Sequence, residues 1–248
     1  MIIFTYLSRT GNPPKLLSRR AFGASVLIDH NTLWIVGGWS RDFNDLSSTE
    51  LLSFKSDQPP IMGPELPFTI RCHCMIRYDE NSIYLIGGKQ NNEWSKKTWI
   101  VNPVNGFEIQ EGPPLNHVRH SHACAKLKIN NGKILIVVSG GLGSIPHQDY
   151  LDSVEILDPS ANNPAWMLGP KLPMDLWGHV METGPTGKSV IVIGGKNESG
   201  DIYSKKLFEL TDLSKDWVEL EQKLENGRHN HLVMVISEEA AKHIVNQT

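Results

Sequence analysis

The sequence predicts an all-β fold built from one structural unit that is repeated along the chain. Two observations predict it. A Gly-Gly pair ends four apolar runs, at steps of 50, 53 and 54 residues: Gly37-Gly38, Gly87-Gly88, Gly140-Gly141 and Gly194-Gly195. Each pair also occupies the same place in a longer pattern of short apolar runs separated by turn residues. Such a period, with strand-like units, is typical of repeat arrays such as β-propellers.

The first half of each unit predicts a β-hairpin. A unit begins with an Arg or its counterpart, and a small residue or a His follows three positions later. We align these pairs as Arg20/Gly23, Arg71/Cys74, Arg119/His122, Leu176/His179 and Arg228/His231. Two apolar runs then flank a turn, which falls at residues 29–31, 79–81, 130–132 and 185–187. Asn, Asp and Gly in these turns allow the left-handed backbone of a tight hairpin.

The second half of each unit predicts two more strands. After the diglycine and a polar loop, a third run reads STELLSF, KTWIVNP, DSVEILDP and KKLFELTD in the four units. A short fourth run is centred on Ile61, Phe107, Trp166 and Trp217. A closing phrase of the GPxLP type follows at residues 63–67, 112–116 and 169–173. Four short strands per unit correspond to one propeller blade.

This pattern resembles the kelch repeat family over about residues 18–236. The resemblance is carried by the Arg-x-x-His start, the IYLIGG-type strand, the VEILDP-type strand and the aromatic residue near the last strand. The sequence departs from the family pattern at Ile61, where an aromatic residue is usual, at Leu176, which replaces the Arg, and at Ser139 before the third diglycine. The resemblance implies a kelch-type β-propeller of adaptor or scaffold type.

We therefore expect a single propeller domain over residues 1–248, with four full four-stranded blades and a partial fifth. The units lie near residues 20–67, 71–116, 119–173 and 176–224, and the partial unit covers 228–236. Residues 2–7 could supply a returning strand, and residues 238–246 predict a short C-terminal helix. A compact five-bladed ring, an open array and a piece of a longer ring all remain open. We expect no accompanying BTB or F-box domain in this chain, since residues 1–19 are too few for one.

Composition narrows the class of partner. A net charge of −3 gives no electrostatic argument for nucleic acid or an anionic membrane.

Cys72, Cys74 and Cys124 are the only cysteines, and this odd count without framework spacing predicts reduced thiols in the cytoplasm. No phosphate-cradling loop, nucleophile elbow or HExxH motif is present, so we expect neither a cofactor nor catalytic residues.

The candidate binding residues lie at the unit starts and in the loops after the diglycines. Equivalent positions of a propeller fall on a circle around its axis, so the four unit-start arginines should form a ring that suits carboxylates. The resemblance implies that arginines at this place contact acidic peptides, and a purely structural role for them stays open. The predicted partner-binding residues are Arg20, Arg71, Arg119, Arg228, Trp39, Arg41, Lys89, Asn91, His147 and Lys196.

His and Cys clusters at residues 72–74, 120–122 and 229–231 suggest a metal site, but we interpret these residues as part of the repeat framework. The sequence thus predicts a protein-interaction module for an extended or acidic peptide. The resemblance suggests the substrate-recognition part of a ubiquitin-ligase adaptor or a cytoskeletal scaffold. The alternative is an enzyme on the same fold, such as a sugar-acid isomerase.

Overall fold

The computed structural model describes residues 15–42, 44–55, 59–143, 149–198 and 203–233. These residues form five antiparallel sheets and contain no helix, so none of them belongs to a helix that could cross a membrane. The fold is therefore all-β, as the sequence predicts. The predicted returning strand at residues 2–7, the predicted helix at residues 238–246 and the candidate residue His147 lie outside the described residues.

Four of the sheets are four-stranded, and three of these pair their strands in chain order. Sheet 1 contains β1 (Ala24–Leu27), β2 (Thr32–Val36), β3 (Thr49–Ser53) and β4 (Ile61–Met62). Sheet 3 contains β12 (Ala123–Lys128), β13 (Ile134–Ser139), β14 (Val154–Leu157) and β15 (Met167–Leu168). Sheet 4 contains β16 (Val180–Thr183), β17 (Val190–Ile193), β18 (Leu207–Leu210) and β19 (Val218–Glu219).

The second unit forms two sheets. Sheet 2 contains β6 (Cys74–Arg77), β7 (Ile83–Ile86), β10 (Thr98–Asn102) and β11 (Glu108–Glu111). A smaller sheet contains β5 (Ile70–Arg71), β8 (Lys89–Gln90) and β9 (Glu93–Trp94). In the other units, isolated β-bridges such as His120 to Leu142 take the place of the β5–β8 pairing. The small sheet therefore extends a feature that the other units show in shorter form.

The sheets pack in series, and each apolar interface joins two consecutive units. The first strands β1, β6, β12 and β16 contact one another in that order. Trp34 and Val36 of β2 face sheet 2, whereas Tyr84 and Ile86 of β7 face sheet 3. Strand residues thus alternate between two interfaces, and both faces of the middle sheets are buried. The described residues do not form a closed ring of sheets.

The diglycines are required by the contact between consecutive units. Gly87 has a φ of +60°, and a Cβ added there would lie 2.7 Å from the carbonyl oxygen of Arg119 and 2.9 Å from the His122 ring. The amide of Gly88 donates to that same carbonyl at 2.9 Å. The pair therefore allows the start of the next unit to approach at a place where no side chain fits.

The expectation that all three cysteines are reduced is wrong for two of them. Cys74 on β6 and Cys124 on β12 form a disulfide, with their Cα atoms 6.1 Å apart. The two residues lie on the first strands of neighbouring sheets and are separated by 50 residues, close to one repeat period. Cys72 remains a thiol, and burial raises its pKa.

Candidate functional site: an aromatic–basic surface

Each unit start bends the backbone at one residue with a positive φ, and this residue defines the register of the repeat. The equivalent residues are Phe22, Cys72, Ser121, Gly178 and Asn230, with φ between 49° and 60°. Ile70, and not Arg71, therefore corresponds to Arg20 and Arg119. This corrects the alignment of Arg71 and Cys74 with the other pairs, because the second unit starts with Ile70 and His73.

Arg71 instead belongs to a second set of equivalent positions, one residue later. These residues pair across a β-bridge or short strand with the residue that follows the diglycine. The pairs are Ala21 with Trp39, Arg71 with Lys89, His120 with Leu142 and Trp177 with Lys196. Because the units repeat, these side chains come to the same end of the sheets. We call the aromatic and basic residues at this end the aromatic–basic surface.

The first part of this surface, the Trp94 cluster, is centred on Arg71. Its guanidinium carbon lies 5.8 Å from the ring centroid of Trp39 and 5.9 Å from that of Trp94. Arg71 Nε lies 2.7 Å from Asp45 Oδ1, and Lys89 Nζ lies 3.5 Å from Asp45 Oδ2. One carboxylate thus holds two cations beside aromatic walls, which leaves a surplus of positive charge.

His120 extends the Trp94 cluster toward the third unit. Its ring stacks on Trp94 at a centroid distance of 3.6 Å. Burial and then the charge of Arg71 lower the pKa of His120 to about 4. The imidazole is therefore neutral at pH 7 and adds a flat wall to the surface rather than a third charge.

The second part, the Trp177 cluster, lies at the equivalent end of the fourth unit. Lys196 Nζ lies 5.4 Å from the ring centroid of Trp177. His229 meets Trp177 edge-on at 5.3 Å and stacks on Tyr203 at 4.9 Å. Tyr203 is 45% exposed, so a ligand can reach this ring directly. Cations over aromatic faces are therefore common to both clusters.

The predicted arginines have different environments. Arg20 and Arg119 are buried and donate to backbone carbonyls and to Glu50 and Glu155 within their own units. They cannot present a guanidinium to a ligand, so of the two roles that the sequence left open these two arginines have the structural one. Arg228 is exposed, and Arg71 belongs to the Trp94 cluster.

The remaining predicted residues divide between the surface and its loops. Trp39, Lys89 and Lys196 belong to the two clusters. Arg41 is exposed in the loop after Trp39. Asn91 is exposed with a φ of 47°, and its Oδ1 accepts a hydrogen bond from Thr69 N at 3.1 Å. Asn91 therefore shapes the turn beside Lys89.

Sequence reasoning missed five residues of this surface as binding candidates: Asp45, His120, Trp177, Tyr203 and His229. The sequence contained a signal for His120, Trp177 and His229, since each of them directly follows a unit-start residue. Asp45 had no such signal, because its contact with Arg71 depends on the path of a loop.

Two of the grooves on the described residues bear on the location of the site. One of about 330 Å³ adjoins Trp94 and is lined by Phe68, Gln90 and Trp99 among others. It contains no buried acid or base, since Glu93 and Lys97 in its wall are exposed. The other, about 610 Å³, lies between sheets 3 and 4 near Asn131 and Asp158, at the hairpin ends of the strands and away from the aromatic–basic surface. We place the candidate site beside the first groove because Trp94, which lines this groove, belongs to the Trp94 cluster.

Metal ligands do not converge in the described part of the chain, where no three His, Cys, Asp or Glu side chains form a metal-binding group. The unit-start histidines are instead packed against the diglycines. Burial lowers the pKa of His73 to about 3, and His179 Nε2 lies 2.8 Å from Ser139 Oγ. These rings are therefore neutral, buried parts of the repeat.

Comparison with known proteins supports the fold and leaves the function open. No protein-family model matches the chain. Over 122 residues the chain is 27% identical to tRNA wybutosine-synthesizing protein 4 of Eremothecium gossypii. This match covers 48% of the chain and only 17% of that protein.

Among solved structures, that of YjhT is similar to this chain with a TM-score of 0.68 and 15% sequence identity. The similarity covers 85% of this chain and 73% of YjhT. At this level of identity the two chains share a fold, and the similarity carries no statement about ligands.

Proposed function

We propose that this chain is a kelch-type β-propeller module that binds another protein through the aromatic–basic surface. Its ligand is an extended acidic peptide, and the chain itself carries out no chemistry. In this proposal the four sheets are propeller blades, and the segment from Arg228 begins a fifth. The module serves as the substrate-recognition part of a ubiquitin-ligase adaptor or as a cytoskeletal scaffold in the cytoplasm.

The position of Arg71 carries this proposal. The ion pair with Asp45 engages Nε, so the outer edge of the guanidinium, with its two Nη atoms, is left to bind a carboxylate in bidentate fashion. Trp39 and Trp94 shield this cation from water and restrict its motion, which strengthens its attraction for an anion. Trp and Arg are also the residue types that dominate binding energy at protein interfaces.

The shape of the site favours a polypeptide over a small molecule. The groove beside Trp94 is shallow, and the Trp177 cluster provides a second set of aromatic and basic groups at the equivalent place of another unit. An extended chain with several carboxylates can contact both clusters, whereas a small ligand contacts one. Small-molecule sites are usually deeper and enclose most of the ligand.

An experiment with selected peptides tests the proposal. A random peptide library displayed on phage is selected against the immobilised protein and, in parallel, against Arg71→Ala. We expect the native protein to enrich peptides rich in Asp and Glu, and Arg71→Ala to bind them at least about tenfold more weakly by calorimetry. Arg77→Ala is the matched control, because Arg77 lies on β6 near the opposite end of the sheet.

Three results would contradict the proposal: no enrichment of acidic residues, equal binding by Arg71→Ala, or an equal loss in Arg77→Ala. A fluorescent single-stranded RNA oligonucleotide is measured alongside, because aromatic and basic groups also bind unpaired bases and the Eremothecium relative is named for tRNA modification. Tighter binding of RNA than of any selected peptide would replace the peptide with RNA as the ligand.

The alternative, a sugar-acid isomerase, would use Arg71 and Lys89 for the substrate carboxylate and His120 as the base. His120 is poorly suited to that role, since a general base is most effective with a pKa near the working pH and the pKa of His120 is lowered to about 4. No observation therefore favours the enzyme over the binding module.

A further inference from the structure

Two kinds of unit start alternate along the chain, and the first kind is a carboxylate clamp. In unit 3, Arg119 Nη1 donates to the carbonyl oxygens of Gly140 at 2.6 Å and Ser153 at 3.2 Å, and its Nη2 lies 2.7 Å from Glu155 Oε1. In unit 1, Arg20 makes the same set of bonds to Gly37, Ser48 and Glu50. The guanidinium thus ties the unit start to the third strand.

Backbone amides complete each clamp. Glu155 accepts hydrogen bonds from the amides of Asn116 at 2.6 Å and His117 at 3.1 Å, which are three and two residues before Arg119. Glu50 accepts from Leu17 at 2.8 Å and Ser18 at 3.0 Å, which stand in the same positions before Arg20. Each glutamate is therefore held by one guanidinium and two amides.

The second kind of unit start lacks three parts of the clamp together. Units 2 and 4 have Ile70 and Leu176 in place of the arginine. At the position of the glutamate on the third strand they carry Trp99, which pairs with Leu85, and Phe208, which pairs with Val192. Three residues before the start they have Pro67 and Pro173, which have no amide hydrogen to donate. The arginine, the amide three residues before it and the glutamate are therefore present or absent as a set.

The segment at Arg228 has the parts of the first kind without its glutamate. The Gly195 amide donates to the Arg228 carbonyl at 2.8 Å, and Asn230 has the φ of 49° that marks a unit start, so the register is intact. The residues three and two positions before Arg228 are Glu225 and Asn226, which both have amide hydrogens. Neither amide makes a hydrogen bond to another of the described residues.

Arg228 is exposed, in contrast with Arg20 and Arg119. Its Nε donates to the carbonyl oxygen of Asn226 at 3.3 Å, which keeps the guanidinium next to the two amides. His231 and Leu232 follow, and Leu232 is 86% exposed. The surface that the next sheet would cover in other units is therefore open here among the described residues.

We propose that Arg228 and the amides of Glu225 and Asn226 form a carboxylate-binding site for a glutamate on a β-strand of a further sheet of the same repeat type. By analogy with units 1 and 3, this glutamate lies on the third strand of that sheet. A second copy of this chain does not fit, since its two equivalent glutamates, Glu50 and Glu155, are already bound by its own arginines. This site is separate from the aromatic–basic surface and does not depend on the function proposed for that surface.

Amide chemical shifts in the full chain test the site. The probes are sodium acetate and a peptide of residues 47–54 of this chain, Ser-Ser-Thr-Glu-Leu-Leu-Ser-Phe, which includes Glu50 and its strand. We expect saturable shifts of the Glu225 and Asn226 amides with both probes, and binding of the peptide at least about tenfold tighter than that of acetate. The amides of Asn116 and His117 serve as an internal control, because Glu155 already occupies their clamp.

Two variants make the test specific. Arg228→Ala should abolish the shifts with both probes, and its fold should be unchanged because the side chain is exposed. A peptide with Gln in place of the glutamate should bind no better to the native protein than to Arg228→Ala. Absence of saturable shifts, or equal shifts in Arg228→Ala, would overturn the site. Equal affinity for acetate and the glutamate peptide would overturn the strand as its ligand.

Discussion

The guanidinium of Arg119 lies 2.7 Å from the carboxylate of Glu155, and both side chains are completely buried. Burial alone would raise the pKa of Glu155, but the charge of Arg119 and the amide hydrogen bonds from Asn116 and His117 hold it below its ordinary value. The pair therefore stays ionised in the interior. Its consequence is structural: the arginine connects the start of a unit to the third strand of the same sheet.

Removing one partner of this pair should destabilise the protein strongly. We expect Arg119→Ala to lower the free energy of unfolding by about 3–5 kcal/mol, because Glu155 would remain buried without its counter-ion. Arg228→Ala is the matched control and should change it by less than about 0.5 kcal/mol, since that side chain is exposed. Urea denaturation followed by circular dichroism measures both, and similar effects of the two substitutions would contradict the assignment.

The repeat itself suggests how to replace the pair. The double substitution Arg119→Leu and Glu155→Phe gives unit 3 the apolar residues that unit 4 has at these positions, Leu176 and Phe208. Replacing a buried ion pair by packed apolar side chains is often neutral, so we expect the double variant to be more stable than either single variant by about 2 kcal/mol or more. Additive losses in urea denaturation would show that the site does not accept the apolar arrangement.

Substitution of two glycines that have the same φ but different surroundings distinguishes the cost of backbone strain from the cost of steric contact. Gly87 and Gly106 both have a φ of +60°, but a Cβ at Gly87 would meet the Arg119 carbonyl and the His122 ring, whereas at Gly106 nothing lies within 4 Å. Alanine at Gly106 should cost about 1–2 kcal/mol of unfolding free energy from the left-handed backbone alone. Alanine at Gly87 should cost about 1–3 kcal/mol more because of the added contact. Equal losses in urea denaturation would mean that the diglycine is needed only for its backbone angles.

The sequence predicted the strands well because apolar periodicity and turn residues are local signals. The predicted hairpins around residues 29–31, 79–81, 130–132 and 185–187 all form. The register of unit 2 was wrong because Arg71 is the arginine nearest its start, while Cys72, which adopts the positive φ, has no residue-type preference for it. The correct register of unit 2 could be assigned only from the backbone conformation.

The site was only partly predictable. Trp39, Arg71, Lys89 and Lys196 were singled out, and the structure brings each into a cluster with an aromatic ring. For Arg20 and Arg119 the sequence left a structural role open, and their burial agrees with it. Their partners, the glutamates of STELL and SVEIL, repeat at the same position of units 1 and 3 but were not identified from the sequence. Side-chain contacts between segments about 30 residues apart become visible only once the sheets are placed.

The buried unit-start histidines should make the protein sensitive to mild acid. Burial lowers the pKa of His73 and His179 to about 3, so each is neutral in the folded protein and binds a proton on unfolding below pH 6.5. Their contribution to stability is thus complete above pH 6.5 and is lost as the pH falls toward 3. Between pH 7 and pH 5, we expect proton uptake by each of the two histidines on unfolding to lower the free energy of unfolding by about 1–2 kcal/mol.

Urea denaturation at pH 7, 6 and 5 measures this dependence in the native protein and in His73→Leu. The variant should have a lower free energy of unfolding at pH 7 than the native protein, but this free energy should fall less steeply toward pH 5. The difference in slope should correspond to about one proton fewer taken up on unfolding. His30→Leu is the control, since His30 is exposed in a turn. An unchanged slope in His73→Leu would show that this histidine is not kept neutral by burial.

The disulfide between Cys74 and Cys124 connects the first strands of two neighbouring sheets, so its removal should destabilise the contact between them. We expect Cys74→Ala with Cys124→Ala to lower the free energy of unfolding by about 2–4 kcal/mol under oxidising conditions. With a reducing agent present, the difference should shrink, because the native protein then also lacks the cross-link. Cys72→Ala is the control, since Cys72 is not part of the bond.

A thiol count decides whether the bond exists where the protein works. Denatured protein, alkylated directly from cells, should contain one free thiol, that of Cys72, if the bond is present and three if it is absent. The cytoplasm keeps most thiols reduced, so one free thiol would contradict the cytoplasmic location that we propose. Three free thiols would agree with that location. They would mean that the sheets there are held together by their apolar interfaces, without the cross-link.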